Sequence, residues 1–402
     1  MPLKLAAATA VFLLIMFLLE VLRSKYILGV THADIVMPDL PKEFVGMKIA
    51  LIADLHQMRF SQYNEELAKR IKLQEPDYIF FAGDMGDSRK FNVDAFYDLM
   101  EVLGDDIPMI AVPGNHDLRL GGGGIHRNFA AECEKAGVIL LHNNHIDLKS
   151  GDTKLYIYGY CQDLKSGHPH KNNNPKNKKS GDKKSHLPLK KVTNEDLREK
   201  LGECPNDAPV LLIAHDATGF KKYARWGAKI IFSGHIHGGL IRLPILGGLL
   251  SPDRVFFPKY SAGLYKHSEL RDKESQMYVT RGLGSGQLFR FFNPPEIAIL
   301  TLTDSAAATP VIHKAPEKTP LSEAIKTESA SLRELLGHRS DQVSDFFAKI
   351  TGADRKYSKY SRVADERKKR NTYTADDYRK RMGLDEDERK GNGKSKKKGK
   401  RR

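Results

Sequence analysis

Lys229-Ile230-Ile231-Phe232-Ser233-Gly234-His235-Ile236-His237-Gly238-Gly239 is an apolar run that closes on two histidines one residue apart. The run reads as a buried strand. Alternate side chains of an extended segment share a face, so His235 and His237 are expected to project together from its end. The flanking glycines allow a sharp turn and a close ligand approach. Imidazole is the commonest metal-ligating side chain near neutral pH. Taken alone, the stretch is equally a Gly-rich turn carrying two solvated histidines.

Four more stretches repeat the pattern. Ala50-Leu51-Ile52-Ala53-Asp54-Leu55-His56 ends in Asp-x-His, and Tyr78-Ile79-Phe80-Phe81-Ala82-Gly83-Asp84 ends in Gly-Asp. Ile110-Ala111-Val112-Pro113-Gly114-Asn115-His116-Asp117 ends in Gly-Asn-His-Asp, and Val210-Leu211-Leu212-Ile213-Ala214-His215 ends in His. Each β-rich run closes at its carboxyl end on a metal-type ligand. That is the edge where open α/β sheets form their sites. A core histidine or a capping aspartate explains any one of them, but not five in succession. Between the runs, residues 61–74, 93–103, 129–136 and 192–201 read as helices, the last with Thr193 as a cap. The alternation argues a βαβ architecture. Residues 260–267 read as loop.

Asp54-Leu55-His56, Gly83-Asp84, Gly114-Asn115-His116-Asp117, His215 and Gly234-His235-Ile236-His237 together resemble the ordered motif set of the calcineurin-like metallophosphoesterases. Gly238-Gly239 with Arg242-Leu243-Pro244, and Val279-Thr280-Arg281-Gly282-Leu283-Gly284 with Pro294-Pro295-Glu296-Ile297, resemble the superfamily's bacterial membrane-associated phosphodiesterase branch. The similarity runs from about residue 48 to 303. It implies a four-layer α/β/β/α sandwich. It also implies one metal on Asp54, His56 and His237, a second on Asn115, His215 and His235, and Asp84 between them. His116 is implied to stabilise the transition state or protonate the leaving oxygen.

The donor chemistry agrees with that assignment. Nitrogen and oxygen donors without thiolate suit Mn²⁺, Fe²⁺/Fe³⁺ or Zn²⁺. Two such cations activate a shared hydroxide for in-line attack on phosphorus. Asp117 either holds the His116 tautomer or caps a helix. Arg281 either meets substrate phosphate or forms a structural ion pair.

The appendages are read from composition. Residues 5–19 are uncharged and mostly apolar, with Lys4 before them and Arg23 and Lys25 after. This is close to the roughly 17–25 residues that cross a bilayer. No small-x-small cleavage site follows, which argues against a signal peptide, and no polar face is present, which argues against a buried amphipathic helix. Residues 1–25 are therefore expected to be a single-pass anchor in the cell membrane. Basic residues on both flanks leave the orientation to weak cues, and the catalytic domain is expected on the cytoplasmic side. Three cysteines, without Cys-x-x-Cys spacing, offer no disulfide framework.

Residues 26–304 form the expected catalytic domain, interrupted at 165–191 by a disordered Lys-rich insertion of nine lysines and one acid. Its His168, His170 and His186 are read as solvated. Residues 305–354 read as a linker with a short helix, and 355–402 as a disordered basic tail. Residues 354–402 hold twenty Lys and Arg against nine acids, out of a net +15 for the whole chain. The positive balance thus belongs to the appendages, and the rest is slightly acidic, which suits a dication site. The tail solubilises the chain, meets anionic lipid at about 1 kcal/mol per basic residue, or, less favoured with an anchor at the other end, meets nucleic acid.

These features together predict a membrane-anchored phosphohydrolase acting on a phosphodiester or pyrophosphate bond in a lipid-linked substrate. The alternatives are a nuclease or nucleotide phosphodiesterase, and a non-catalytic scaffold on the same fold.

Overall fold

The structure is a computed structural model that describes residues 2–88, 93–119, 129–130, 133–165, 189–243, 246–252, 254–270, 273–284 and 289–305. The linker, short helix and basic tail expected at 305–354 and 355–402 lie outside these residues, apart from Ser305. So does nearly all of the insertion, and part of the helix expected at 129–136.

The apolar runs form two six-stranded sheets. The first contains β1 (Gly29–Val36), β2 (Lys48–Ile52), β3 (Tyr78–Ala82), β4 (Met109–Val112), β5 (Ile139–Leu140) and β14 (Glu296–Thr303), in the order β1-β14-β2-β3-β4-β5. The second contains β6 (Asn144–Ser150), β7 (Thr153–Tyr160), β8 (Val210–Asp216), β9 (Ile230–Gly234), β12 (Gly263–Leu270) and β13 (Lys273–Val279), in the order β12-β13-β9-β8-β7-β6. Strands β2 to β5 pair in parallel, as do β7, β8, β9 and β13. β10 (Ile241–Leu243) and β11 (Gly247–Leu250) form a separate hairpin.

Parallel strands are covered on both faces, which is why their sequences are continuously apolar. In β2, Ile49 and Leu51 face the second sheet, where they join Leu211, Ile213, Ile230 and Phe232 in one buried cluster. The Phe80 and Phe232 rings meet edge-on across that interface at 5.2 Å. Ala50 and Ile52 point the other way, into a cluster with Leu67 and Ile71 of α2 (Glu65–Lys72) and Leu99 of α3 (Asp94–Leu103). The outer face of the second sheet packs Tyr158, Leu212 and Ile231 against Leu197 of α5 (Asn194–Leu201) and Phe220 and Tyr223 of α6 (Phe220–Trp226). The layers are therefore α/β/β/α, as expected.

Helix ends follow local chemistry. α2 has Glu65 and Glu66 in its first turn and Lys69, Arg70 and Lys72 in its last, matching the helix dipole. Thr193 caps α5 by accepting from the Asp196 N–H at 3.1 Å. Residues 62–64 form a separate 3-10 turn, because Tyr63 and Asn64 sit at φ 61° and 58°. The helix expected from residue 61 accordingly starts at Glu65. The loop expected at 260–267 is largely strand β12. As an edge strand it is solvated along one side, so its polar Lys266, His267 and Ser268 hide the pattern.

α1 (Pro2–Tyr26) precedes the sheets. The large apolar residues from Leu5 to Leu19 are 43–70% exposed, so α1 is not a core helix. At 23 residues its apolar stretch Lys4–Tyr26 is about 34 Å long, enough to cross a bilayer core of about 30 Å. Among the described residues, its C-terminal part touches the domain. Glu20 Oε1 accepts from the Phe292 N–H at 3.1 Å, Ser24 Oγ accepts from the Asn293 N–H at 3.1 Å, and Phe17 packs on Phe291 at 5.2 Å. At the base of the insertion, Leu164 and Leu189 form a β-bridge and Lys190 Nζ lies 3.0 Å from Asp163.

Phe232 is fully buried where the two sheets meet. Phe232→Ala is expected to cost about 3–5 kcal/mol, read as a lower denaturation midpoint in urea. A loss under about 1 kcal/mol would mean that the inter-sheet packing is not the main core.

Candidate metal centre

The carboxyl ends of β2, β3 and β4 meet those of β8 and β9 at one edge of the sandwich. Asp54 and His56 follow β2, Asp84 follows β3, and Asn115 opens α4 (Asn115–Arg119) just past β4. His215 is in β8, and His235 and His237 follow β9. The structure thus brings together all seven residues expected to hold metal. Asp54, His56 and His237 offer donor atoms within 4.8 Å of one another, as do Asp84, His215 and His235. The Asn115 amide lies 2.9 Å from His235 Nδ1. Asp54 and Asp84 are 0% and 1% exposed, and two carboxylates buried this deeply need positive charge beside them.

Several backbone features aim these groups. Asp54, His56, Asp84, His235 and His237 all have φ between 51° and 71°. This left-handed backbone is uncommon for residues with a side chain and costs about 1–3 kcal/mol at each position. Gly83 has φ +88°, and a Cβ there would lie 2.6 Å from His215 Nδ1. At Gly234 a Cβ would sit 2.7 Å from that of Ala53, so the two sheets could not close.

Histidine orientation is set from behind. His215 Nδ1 pairs with the Ala82 carbonyl at 2.7 Å, and His237 Nδ1 with the Gly284 carbonyl at 3.0 Å. At His215 the bond directs Nε2 toward the carboxylates, the arrangement that makes imidazole a good metal ligand, while His237 Nδ1 also lies 3.9 Å from Asp54 Oδ2. His215 Nε2 is 3.2 Å from Asp84 Oδ2 and 4.0 Å from Asp54 Oδ1. The Asp54 carboxylate also accepts the His235 N–H at 3.1 Å, and Asp84 Oδ1 accepts the His116 N–H at 2.6 Å.

Electrostatics divide the two acids. Burial pushes Asp54 up to about 6. Burial opposes ionisation of Asp84 as well, but the imidazoles of His215, His116 and His56 outweigh it and hold Asp84 well below the usual carboxylate range. His215 is raised to about 10 against its burial, chiefly by Asp84. His237 is driven well below its usual value by burial and by His56. In the protein alone, then, protonation of His215 offsets part of the carboxylate charge. Divalent metal would take over that role, and the nitrogen and oxygen donors fit such an ion.

His116 stands at the rim, its ring 4.6 Å from that of His56 and edge-on to it. Its Nδ1 faces Asp87 Oδ1 at 3.4 Å and Ser88 Oγ at 3.1 Å. His116 Nδ1 also accepts the Ser88 N–H at 3.3 Å, and of the two readings of Asp117 its contacts match the helix cap. Asp117 is the third residue of α4 and reaches back to the N–H groups of Gly114 and Gly86, each at 2.8 Å. It braces two site loops and makes no contact with the His116 ring. Burial, with Asp84 nearby, pushes it up to about 7. An acid three positions beyond Asp84 was a usable signal for Asp87.

Arg281 takes the ion pair. Its Nη2 lies 3.2 Å from Glu296 Oε1 and 3.3 Å from Thr31 Oγ1, the structural ion pair that was the alternative to a substrate contact. The buried cation beside the centre is Arg290, 2% exposed, which sequence reasoning missed. It donates to the carbonyls of Gly282, Leu283 and Gly284 at 3.3 Å each, to His237 at 3.3 Å and to Arg281 at 2.6 Å. Asn293 Nδ2 also donates to the His237 carbonyl, at 2.7 Å. Together they lock the loop that carries His237.

Residues 47–239 match the family model of the calcineurin-like phosphoesterases. An uncharacterised metallophosphoesterase of Bacillus subtilis, YkuE, is 24% identical over 65% of this chain and 81% of its own length. The phosphodiesterase YaeI of Escherichia coli is 28% identical over 63% of this chain and 82% of its own. The UDP-2,3-diacylglucosamine pyrophosphatase LpxG of Chlamydia muridarum is 30% identical, over 23% of this chain and 28% of its own. The chain thus carries a calcineurin-like phosphoesterase domain, and it is a metal-dependent hydrolase.

The two aspartates flanking His116 separate in experiment. Asp87→Asn is expected to lower kcat about 10- to 100-fold with metal content and denaturation midpoint unchanged. Asp117→Ala is expected instead to cost about 2 kcal/mol of stability, because its partner N–H groups lose their acceptor. The reverse pattern would return the orienting role to Asp117.

Proposed function

We propose that this chain is a membrane-anchored phosphohydrolase with two divalent cations, cleaving a phosphodiester or pyrophosphate bond in a lipid-linked substrate. One observation carries the reading. Asp54 and Asp84 are buried side by side among histidines, two of which, His215 and His237, are tied through Nδ1 to backbone carbonyls. Asp54, His56 and His237 would hold one cation, Asn115, His215 and His235 the other, and Asp84 would lie between both. Two cations in such a site supply Lewis acidity toward phosphoryl oxygens and lower the pKa of water to near neutrality. Mn²⁺, iron and Zn²⁺ all suit the donors.

The protein's own groups do the rest. Asp84 is kept ionised by the imidazoles around it, so it is a permanent anion between the two halves of the site. His116 is outside both sets of proposed ligands yet faces His56 across 4.6 Å, where its ring can hold a proton for the leaving oxygen. The Ser88 N–H donates to its Nδ1 and favours the Nε2–H tautomer, and Asp87, 3.4 Å from Nδ1, stabilises the charged ring. A lipid-linked substrate is supported by α1 and by the similarity to a pyrophosphatase named for a diacylated nucleotide sugar. A nucleotide or nucleic-acid substrate is the competing outcome. The intact ligand set speaks against a scaffold that has lost its chemistry.

Full-length protein in detergent is expected to release nitrophenol from bis-p-nitrophenyl phosphate only when Mn²⁺ or another of these metals is added. Asp84→Asn should lower that rate at least ~100-fold, since it removes a charge shared by both cations. No release with Mn²⁺, Fe²⁺ or Zn²⁺ would sink the phosphodiesterase reading.

Deleting residues 2–16 leaves Phe17, Glu20 and Ser24 on the domain and shortens α1 below a bilayer's width. The shortened chain should be extracted from membranes by alkaline carbonate, with diesterase activity kept, while the full chain resists extraction. Extraction of both would mean that α1 does not span the membrane.

A further inference from the structure

The loop that leaves the metal centre does not return directly to a sheet. Four residues beyond His237 it enters β10, which pairs with β11. Phe291 bridges to Ile241 on one side, and Phe256 bridges to Leu250 on the other. A small sheet of the 255–257 segment, β11, β10 and the 289–292 segment results, and it is unusually apolar on its outside. Leu246 is 67% exposed, Val255 53%, Phe256 69%, Phe257 60% and Phe292 41%. Among the described residues, these three are the exposed phenylalanines that lie outside α1. Phe257 and Phe292 have φ of 48° and 51°, so costly left-handed backbone holds two of the rings outward. Arg254 and Lys259 are exposed beside them.

The same patch is where α1 arrives. Phe17, within the apolar stretch, packs on Phe291 and Phe289 at 5.2 and 6.0 Å, and Glu20 binds the backbone of Phe292. If Phe17 is at bilayer depth, Phe291 is at that depth too, and the exposed face continuous with it meets the leaflet. Aromatic rings with basic residues at their edge are the composition of interfacial segments.

We infer that this small sheet is a second membrane contact, lying on the leaflet from which α1 emerges and turning the metal centre toward phosphoesters within lipid headgroups. The inference rests on the membrane-anchored reading and deepens it. Four residues of extended chain reach at most about 14 Å, so the leaflet-bound strand β10 stays close to His237. A headgroup phosphate could then reach the site without its lipid leaving the bilayer. The occupant is lipid rather than a second copy of the chain, because the patch is continuous with the apolar helix.

Depth-dependent quenching tests this in the full-length protein, in vesicles of equal parts phosphatidylcholine and phosphatidylglycerol with acyl chains brominated near the headgroup. The native Trp226 lies against the outer helix layer and supplies a constant background. Phe256→Trp should lose most of its added emission to the brominated lipid, and Phe12→Trp within α1 serves as the reference. Quenching at Phe12→Trp but not at Phe256→Trp would overturn the second contact and leave the anchor standing, including the case of a second copy covering the patch. Quenching at neither would overturn the membrane reading itself. With Phe256→Glu and Phe257→Glu combined, turnover of the p-nitrophenyl ester of phosphatidic acid in vesicles should fall about tenfold while that of bis-p-nitrophenyl phosphate is unchanged. Equal loss on both esters would assign the phenylalanines a structural role and refute the inference.

Discussion

Two carboxylates share a chamber from which water is largely excluded, and the rest of the edge is built to make that tolerable. An isolated buried anion is among the most expensive features a fold can hold, unless cations or donors face it. Here the response comes from both sheets. β8 and β9 bring His215, His235 and His237 across to Asp54 and Asp84, which belong to the other sheet. Without its partner sheet, neither half could keep its own charged groups buried.

The geometry also explains why the ligands sit where the backbone is uncomfortable. A strand delivers side chains alternately to its two faces, whereas a site at the strand's end needs them turned inward together. Left-handed backbone at five of the seven proposed ligands makes that turn. The strain, several kcal/mol in total, is held by what lies behind it: close-packed glycines, Asp117 on two loop amides, and Arg290 with Asn293 on the loop of His237. These residues are outside the proposed ligand set, yet they decide whether the cage keeps its shape.

The cage was legible in the sequence because each ligand closes an apolar run, and a run of that kind declares both its strand and its end. The βαβ alternation followed from the same runs, whereas the four layers came with the family resemblance. What surrounded the cage was harder to read. His116 is adjacent to Asp117 in sequence, but helix α4 turns the two side chains apart, and Asp87 arrives from another loop. Arg281 and Arg290 look alike on paper. Their different roles depend on Glu296, which occupies the first with an ion pair, and on five carbonyls that converge on the second. The edge strand β12 escaped because one solvated side removes the continuous apolar signal.

The β-bridge between Leu164 and Leu189 closes the base of the insertion on the sandwich. Its two ends are fastened to each other, with Lys190 clasping Asp163, so the sandwich registers a closed base whatever lies beyond it. The entropic cost of closing such a loop rises only with the logarithm of its length. Residues could be gained, lost or exchanged there over generations at little expense to folding. A lineage could thus revise what this enzyme meets at its surface while leaving its chemistry alone.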